Sequence, residues 1–290
     1  MPVPTFLRGK DGYVRLNEIK RHVRQHWLTP QGTGNRRGNV IVGANADAYL
    51  RFVCDQNGPF EGYGLSYDRT SPLVNVVINC VRANNRALMN RPVLADTIMS
   101  PLIGGQNLFL LPETLWFDPM EVYTMVFTDF SGAPNTVRPI IHGRKFNLRQ
   151  APPSLAEALV KRKSLRQQIS TPYFYTTDAA VALAANVRGQ QATITVSEEG
   201  HFEWWATTFW ATGAFDWRVT DAASGVSFSG SEYVNSTGTI GVSLFPYEMS
   251  EPVFIAKNTA LTLEFDDYSG GVNNVFLTLI GRRIYEDRLA

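Results

Sequence analysis

The chain repeats itself, and this repeat restricts its possible folds more than any other feature. Residues 129–145 and 267–283 match at a constant offset of 138, through Asp-(Phe/Tyr)-Ser-Gly and a later Gly-Arg-(Lys/Arg). The preceding part of each unit matches at an offset of 142, as in Glu61 and Glu203. A fixed-period match of this length indicates an internal duplication.

The duplication predicts a division of the chain into four segments. A unit near 120 residues has the usual size of one domain. The segments are a basic N-terminal arm at 1–28, a first repeat at 29–147, a helical linker at 148–170 and a second repeat at 171–290.

The start of each unit and the change of offset lead to two further expectations. Arg24-Gln25 and Thr29-Pro30 match Arg166-Gln167 and Thr171-Pro172 at the offset of 142. The later offset of 138 predicts a net insertion of four residues in the first repeat, which we place at 82–90.

Alternating apolar and polar residues dominate both repeats. Leu261, Leu263 and Phe265 alternate with Thr262 and Glu264, and the first repeat has apolar residues at the same positions. Turns rich in Gly, Asn and Ser separate these segments. The pattern predicts an all-β chain of two tandem antiparallel β-sandwich domains, jelly-roll-like in form.

Two connecting segments have helical patterns instead. Residues 16–27 place apolar side chains at steps of three and four, which predicts a helix. Ser154 and Glu157 follow two prolines and form a capping box for a helix running to about residue 168. The first helix belongs to the basic arm that leads the first repeat, and the second is expected to connect the two domains.

Pro139 lies in the last strand of the first repeat, where the second repeat has Leu277. Proline has no N–H to donate to a β-ladder. We therefore predict that this strand is an edge strand or carries a bulge, and that the two repeats differ there.

Charge and cysteine content exclude several classes of protein. The net charge of +1 argues against nucleic-acid binding by bulk electrostatics. No run is apolar enough to cross a membrane, and the N-terminus does not resemble a signal peptide. Cys54 and Cys80 both alternate with apolar residues, which favours buried free thiols over a disulfide.

Charged residues are unevenly distributed along the chain. Residues 8–24 and 144–166 are strongly basic, whereas acidic residues prevail from Asp178 onward. The charged segments are either solvated faces or basic arms that dock on an acidic module of a neighbour or on a polyanion.

The sequence contains none of the common catalytic motifs: GxSxG, Walker A, GxGxxG or CxxC. Glu61 and Glu203 occur once per repeat, and one carboxylate does not supply the acid and base of a glycosidase. His22 and His26 have the i, i+4 spacing of a zinc site on a helix, but only Glu18 is available as a third ligand. We predict no enzyme activity, no metal and no cofactor.

Aromatic and arginine residues are the candidates for intermolecular contacts. Trp204 and Trp205 are adjacent on a predicted strand, so one of them must face away from the core. The exposed aromatic residues suit a protein interface or a sugar-binding strip, and the arginines suit either contacts between subunits or structural salt bridges. The candidate interface residues are Trp204, Trp205, Trp210, Arg144, Arg282, Arg24 and Arg166.

Four segments of the second repeat resemble structural proteins of tailed bacteriophages. They are residues 172–178, 202–204, 218–225 and 273–282. The resemblance implies a β-sandwich virion component of the kind encoded among head and neck genes. It covers the first repeat only through the internal match, and there Gly62 replaces Trp204.

From this resemblance we expect a non-enzymatic structural protein of the virion, made in the cytoplasm of the bacterial host. Its partners would be other copies of itself and the capsid, portal or neck proteins, as a decoration or cement protein or as part of the collar. Two modules per chain also suit symmetry matching, because three chains present six modules. The alternative is a receptor- or carbohydrate-binding module of a tail fibre or spike.

Overall fold

Four large β-sheets contain most of the regular secondary structure of the described residues. The structure is a computed structural model. It describes residues 6–9, 12–15, 23–31, 40–80, 86–101, 108–147, 170–177 and 180–285. Within them, the only α-helices are two single turns, α1 (Ala95–Ile98) and α2 (Ser236–Thr239). The prediction of an all-β chain with tandem antiparallel sandwiches is confirmed.

The first module, residues 23–146, is a sandwich of two sheets. Its strands are β3 (Val23–Leu28), β4 (Val40–Val42), β5 (Asp47–Val53), β6 (Phe60–Arg69), β7 (Val74–Cys80), β8 (Arg86–Ala87), β9 (Val93–Leu94), β10 (Ser100–Pro101), β11 (Phe109–Phe117), β12 (Val122–Asp129) and β13 (Asn135–Phe146). One sheet has β6 and β13 at its centre, with β10 and β11 beside β6, and with β3 and β4 beside β13. The other has the order β5-β12-β7, followed by β8 and β9. A hairpin of β1 (Phe6–Gly9) and β2 (Gly12–Arg15) precedes the module.

The second module, residues 170–284, repeats this arrangement. Its strands are β14 (Ser170–Thr176), β15 (Val181–Leu183), β16 (Gln190–Thr195), β17 (His201–Ala211), β18 (Phe215–Asp221), β19 (Val234–Asn235), β20 (Tyr247–Ile255), β21 (Ala260–Asp267) and β22 (Asn273–Ile284). One sheet has the order β20-β17-β22, followed by β14 and β15, and the other is β16-β21-β18-β19. Each large strand therefore has a counterpart in the first module with the same neighbours.

The strand registers correct the expected positions of the insertion and of the early matches. The offset is 142 between Glu61 and Glu203 and still 141 between Ser100 and Gly241. The offset falls to 138 only between Phe109 and Tyr247. Most of the additional residues of the first module therefore lie between Pro101 and Phe109, and there is no net insertion at 82–90. In β3 the offset is 147, so the match of Thr29-Pro30 with Thr171-Pro172 does not reflect equivalent positions.

Period-two alternation fills both cores. In β12, and in β21 as far as Phe265, the side chains alternate between buried and half-buried positions. The inward-facing residues Met125, Phe127, Leu263 and Phe265 are fully buried. Two hydrophobic clusters result, one in each sandwich. Cys54 is buried and free, as predicted, and the side chain of Cys80 lies outside the described part.

The helix expected at residues 16–27 is wrong for its second half. Residues 23–28 form β3, which pairs with β13 from Leu28↔Ile141 to Val23↔Phe146. The backbone of β13 offers a row of hydrogen-bonding groups here, and pairing with it overrides a weak helical pattern. Residues 16–22 and the expected helix at 154–168 lie outside the described residues. Any truncation meant to remove only the arm has to stop before Val23.

Pro139 lies in a central strand, so the expectation of an edge strand is wrong. On one side Pro139 pairs with Tyr67 of β6. On the other side, β4 covers residues 135–137 and β3 covers residues 141–146. Among the described strands, neither reaches Pro139, and the missing N–H therefore costs no ladder bond. The bulge near His142 and Gly143 has its extra residue, Tyr63, on β6, and the second module has the same bulge, so the predicted bulge caused by Pro139 is not what the sheet carries.

The repeated Asp-x-Ser-Gly motif stabilises a turn in each module through side-chain hydrogen bonds. Asp129 accepts hydrogen bonds from the Ser131 N–H at 3.2 Å and from the Asn135 side chain at 3.3 Å. The Asn135 side chain also accepts from the Thr70 N–H at 3.1 Å, which ties two turns together. Asp267 and Asn273 form the same bond at 3.1 Å in the second module. Because each aspartate accepts from the N–H two residues later, both begin Asx turns, which is a structural role.

The two modules are joined by hydrogen bonds and apolar contacts. The Phe174 N–H donates to the Leu88 carbonyl at 2.9 Å, and the Asn90 N–H donates to the Phe174 carbonyl at 3.2 Å. The Thr208 hydroxyl donates to the Thr97 carbonyl at 2.7 Å. Phe174 is fully buried within the core cluster of the first module. This is a fixed junction, with backbone pairing across it.

We expect Asn90→Ala to weaken this junction measurably. The Asn90 side chain accepts from the Thr176 N–H at 2.9 Å and donates to the Thr176 carbonyl at 3.0 Å. Leaving buried polar groups without partners should lower the free energy of unfolding by about 2 kcal/mol, measured by urea denaturation. Gln191→Ala, which breaks an exposed bond to Glu264, is the control and should change it by less than about 0.5 kcal/mol. Equal effects of the two substitutions would contradict this account.

Candidate interaction surfaces

A glutamate, an aromatic residue and an arginine form a cluster on the outer face of the second module. The ladder between β17 and β22 has a bulge between Trp204 and Ala206, which leaves Trp205 as the extra residue. The Arg282 guanidinium lies 5.5 Å from the Trp205 ring centroid and is ion-paired with Glu203. The Trp205 indole N–H also donates to Glu203 at 3.2 Å. Arg282 therefore combines a salt bridge with a cation–π contact.

The first module has a glutamate, an aromatic residue and an arginine at the equivalent positions. Its bulge leaves Tyr63 as the extra residue, and Arg144 lies 5.9 Å from the Tyr63 ring centroid. Glu61 pairs with Arg144 in the ladder and accepts a hydrogen bond from Thr114 at 3.1 Å. An open depression of about 410 Å³ adjoins Arg144, next to Tyr63, Val23 and Gln25. The structural salt bridge considered for Arg282 is thus present, while Arg144 faces open space.

The three candidate tryptophans have different surroundings. Trp204 is only 2% exposed, and its indole N–H donates to the Ala206 carbonyl and the Thr207 hydroxyl, each at 3.0 Å. It is a core residue, so its assignment to an exposed interface is corrected. Trp205 is the one that faces outward, and it is half-buried.

Trp210 belongs to the junction within the chain. Its ring lies 5.7 Å from that of Phe276, which is in turn 5.8 Å from Phe130 of the first module. Trp210 itself is half-buried, so part of its surface faces solvent.

The remaining candidate arginines lie at or beyond the edge of the first module. Arg24 is exposed on β3, opposite Lys145 of β13. It lies on the same sheet as Arg144. Arg166 lies outside the described residues.

A cation that our sequence reasoning missed fixes the same turn in each module. Lys145 Nζ donates to the Gly58 carbonyl at 2.6 Å and lies 2.9 Å from Asp55. Burial raises the pKa of the neighbouring Cys54 thiol, although Lys145 acts in the opposite direction. At the equivalent position, Arg283 is ion-paired with Glu199. The signal was present in the basic residue that follows each repeated Gly-Arg.

The second module contains a cleft that is closed in the first. The cleft measures about 310 Å³, and aromatic and hydroxyl side chains line it, including those of Trp217, Phe228, Thr239 and Tyr247. In the first module, buried apolar residues stand at the equivalent positions. Ile98 replaces Thr239 and Phe109 replaces Tyr247, and both are fully buried.

The described histidines lie in structural environments. His26 is on a strand, not on the helix that the zinc spacing requires, and His22 lies outside the described residues. His142 shares a hydrogen bond of 2.7 Å with the Ser66 hydroxyl, and burial lowers the pKa of its imidazole. In the part of the chain that the structure describes, no three His, Cys, Asp or Glu residues converge as a metal site.

No protein-family description and no curated protein matches this sequence. Among the described helices, none has the length and apolar character needed to cross a membrane.

Some solved structures share the β-rich fold at low similarity. The chain resembles a triple jelly-roll protein of an archaeal virus turret at 12% identity and a TM-score of 0.23, covering 88% of this chain and 61% of the other. It resembles infectious bursal disease virus, Gx strain, at 7% identity and a TM-score of 0.25, covering 91% and 41%. It also resembles a tandem CBM22 module of Paenibacillus barcinonensis Xyn10C, at 6% identity and a TM-score of 0.20, covering 90% and 91%. Because the TM-scores are this low, no functional property of these proteins transfers to the chain.

Proposed function

We propose that this protein is a non-enzymatic structural component of a tailed-phage virion, where it assembles in many copies. It decorates or cements the capsid exterior, or it forms part of the collar or neck near the portal. Its partners are other copies of itself and the neighbouring virion proteins. It is made in the bacterial host cytoplasm and carried in the particle. The resemblance of residues 172–178 and 218–225 to phage structural proteins supports this proposal.

The observation that carries the proposal is the junction between two copies of one fold. Backbone bonds of Phe174 to Leu88 and Asn90, together with buried threonine contacts, join the modules edge to face. Surfaces of this kind suit construction from repeated units, because the same fold supplies both partners of the contact. The exposed aromatic side chains elsewhere on the modules suit further contacts of the same type.

The chemistry of the cleft supports a non-enzymatic role. Its described lining consists of apolar, aromatic and hydroxyl side chains, with no carboxylate, imidazole, thiol or amine among them. Glu203 and Arg282 lie outside it, bound to each other on the sheet face. General acid–base catalysis needs a positioned titratable group near the reacting atoms, and the described part of this cleft offers only the phenol of Tyr247.

The same cleft favours a second candidate function, a receptor- or carbohydrate-binding module. Aromatic faces next to hydroxyl groups are suited to sugar rings, and the exposed rings of Phe228 and Tyr247 line the cleft beside the edge of Trp217. Titration with bacterial surface polysaccharide, followed by tryptophan fluorescence, separates the two functions. A saturable quench that Trp217→Phe removes would favour this alternative, whereas a structural component gives no response.

The position in the particle tests the proposed function directly. A tagged copy of the chain should be incorporated into virions and be visible by gold labelling and negative-stain imaging. Label over the capsid surface or at the portal vertex is the expected result. Label confined to the fibre tips would favour the receptor-binding alternative, and purified virions free of the protein would overturn both.

A further inference from the structure

The junction within the chain uses two different surfaces. On the first module, residues 88–98 and 109–113 form what we call the docking edge, with Phe109 at its centre. On the second module, the outer sides of β14, β17 and β22 form the receiving face, with Phe174 at its centre. The rings of Phe109 and Phe174 lie 6.3 Å apart. Because both modules have the same strand order, each surface exists twice in the chain but is occupied only once.

The second docking edge is exposed. Tyr247 stands at the position of Phe109 and is 44% exposed, whereas Phe109 is fully buried. Near it, Val242 and Phe245 are also exposed large apolar residues. Strand β20 is exposed along most of its length, unlike its counterpart β11. The surface that is covered in the first module therefore lies open in the second.

The first module has an equivalent receiving face, and it is also uncovered. Trp27 faces His142 in the ladder as Phe174 faces Ile280. Phe174 is fully buried, whereas Trp27 is 54% exposed. Ile140 and His142 are half-buried, while their counterparts Thr278 and Ile280 are fully covered. A large aromatic residue in solvent at this position is typical of an interface anchor.

The charges of the two open surfaces are complementary. The docking edge of the second module carries the exposed residues Glu248 and Glu251. The receiving face of the first module carries Arg144, which pairs with Gln25 on the same side of the sheet as Trp27. Glu251 stands at the position of Glu113, which accepts a hydrogen bond from Ser170 at 2.7 Å inside the chain.

These positions allow the contact across an equivalent junction to be located. The counterpart of Ser170 on the open face is Val23, which lines the same open depression as Arg144. An equivalent junction therefore places Glu251 beside a cation.

We propose that the docking edge of the second module binds the receiving face of the first module in a second copy of this chain. This inference deepens the proposed self-assembly and rests on it. The contact is heterologous, so each copy uses one surface at each end, and successive copies form a closed ring or an open filament. Trp27 and Tyr247 meet at its centre, as Phe174 and Phe109 meet inside the chain.

Two variants, each with one of the two surfaces disrupted, test the proposed contact. Trp27→Asp removes the receiving face only, and Tyr247→Asp removes the docking edge only. The full chain should associate with rising concentration in analytical ultracentrifugation, and each variant alone should lose at least about 30-fold in association constant, as for a hot-spot residue. A mixture of the two variants retains one intact junction per pair. It should therefore give dimers and no larger species.

A matched control and two contrary outcomes complete the experiment. Tyr49→Asp changes a residue that is 72% exposed on the other sheet and should associate like the parent chain. Far-UV circular dichroism checks that every variant is folded. A mixture that stays monomeric, or a parent chain that is monomeric up to its solubility limit, overturns this junction. If that chain is still found in virions, the proposed function stands without it.

Discussion

Gly281→Ala is expected to destabilise the second module by about 3 kcal/mol. A Cβ at this position would collide with the Glu203 carbonyl oxygen and lie 2.7 Å from the Phe202 ring. The backbone oxygen cannot move away without breaking the ladder between β17 and β22, so the strain cannot relax. Gly143 is equally crowded by Glu61 and by the Phe60 ring, which explains why both repeats have glycine before the arginine.

Urea denaturation of Gly281→Ala and a matched glycine variant measures this effect. Gly271→Ala is the control, because a Cβ there meets nothing within 4 Å. The control should change the free energy of unfolding by less than about 0.5 kcal/mol. Equal midpoints for the two variants would show that the crowding at Gly281 is relieved without cost.

Asp96→Ala is expected to cost the first module about 3 kcal/mol. Asp96 of α1 is buried and accepts two hydrogen bonds from Arg69, each at 2.6 Å, and a third from the Tyr67 hydroxyl. Removing the carboxylate leaves a largely buried guanidinium without its partner. Because α1 also holds Thr97 against Thr208 of the second module, the junction between the modules should loosen as well.

Thermal unfolding and urea denaturation, each compared with an exposed pair, test this prediction. Asp68→Ala breaks the exposed ion pair with Arg138 and should cost less than about 1 kcal/mol. A loss at Asp96 no greater than at Asp68 would refute the structural role of the buried cluster.

Tyr67 also makes this buried cluster sensitive to alkaline pH. Burial, followed by the charge of Asp96, raises the pKa of Tyr67 well above its ordinary value of 10.0. The stability that the phenol contributes is therefore complete below pH 10.0 and lost as the pH rises toward the raised pKa of the folded state.

The sequence predicted the β class and the duplication because both depend on local pattern. Inward-facing residues such as Met125 and Leu263 recur with a period of two, and the repeated turn motif marks equivalent positions. The pattern failed at residues 23–28, the second half of a segment in which apolar residues at helical spacing suggested a helix over 16–27. Pairing with β13 is a long-range interaction, and nothing in the local sequence shows that a partner strand is available.

The candidate surfaces were only partly predictable for a related reason. Adjacent tryptophans on a strand required one outward-facing ring, but the choice of Trp205 depends on a bulge that the sequence does not mark. The importance of Trp27 appears only when its register is compared with that of Phe174. That comparison requires the offset of 147 in β3, whereas the sequence match suggested 142. A strand as short as β3 shares too few identical residues with its counterpart β14 for the two to be aligned from sequence alone.

The pairing of the first and last strands of each module has a mechanical consequence. Val23 lies opposite Phe146, and Ser170 lies opposite Ile284, so the chain enters and leaves each module side by side. Tension between those two ends would break the hydrogen bonds between the paired strands one pair at a time. A β-ladder resists force least when it is pulled in this direction. An assembly of such modules would bear load well only where the load passes through their lateral surfaces and bypasses the polypeptide ends.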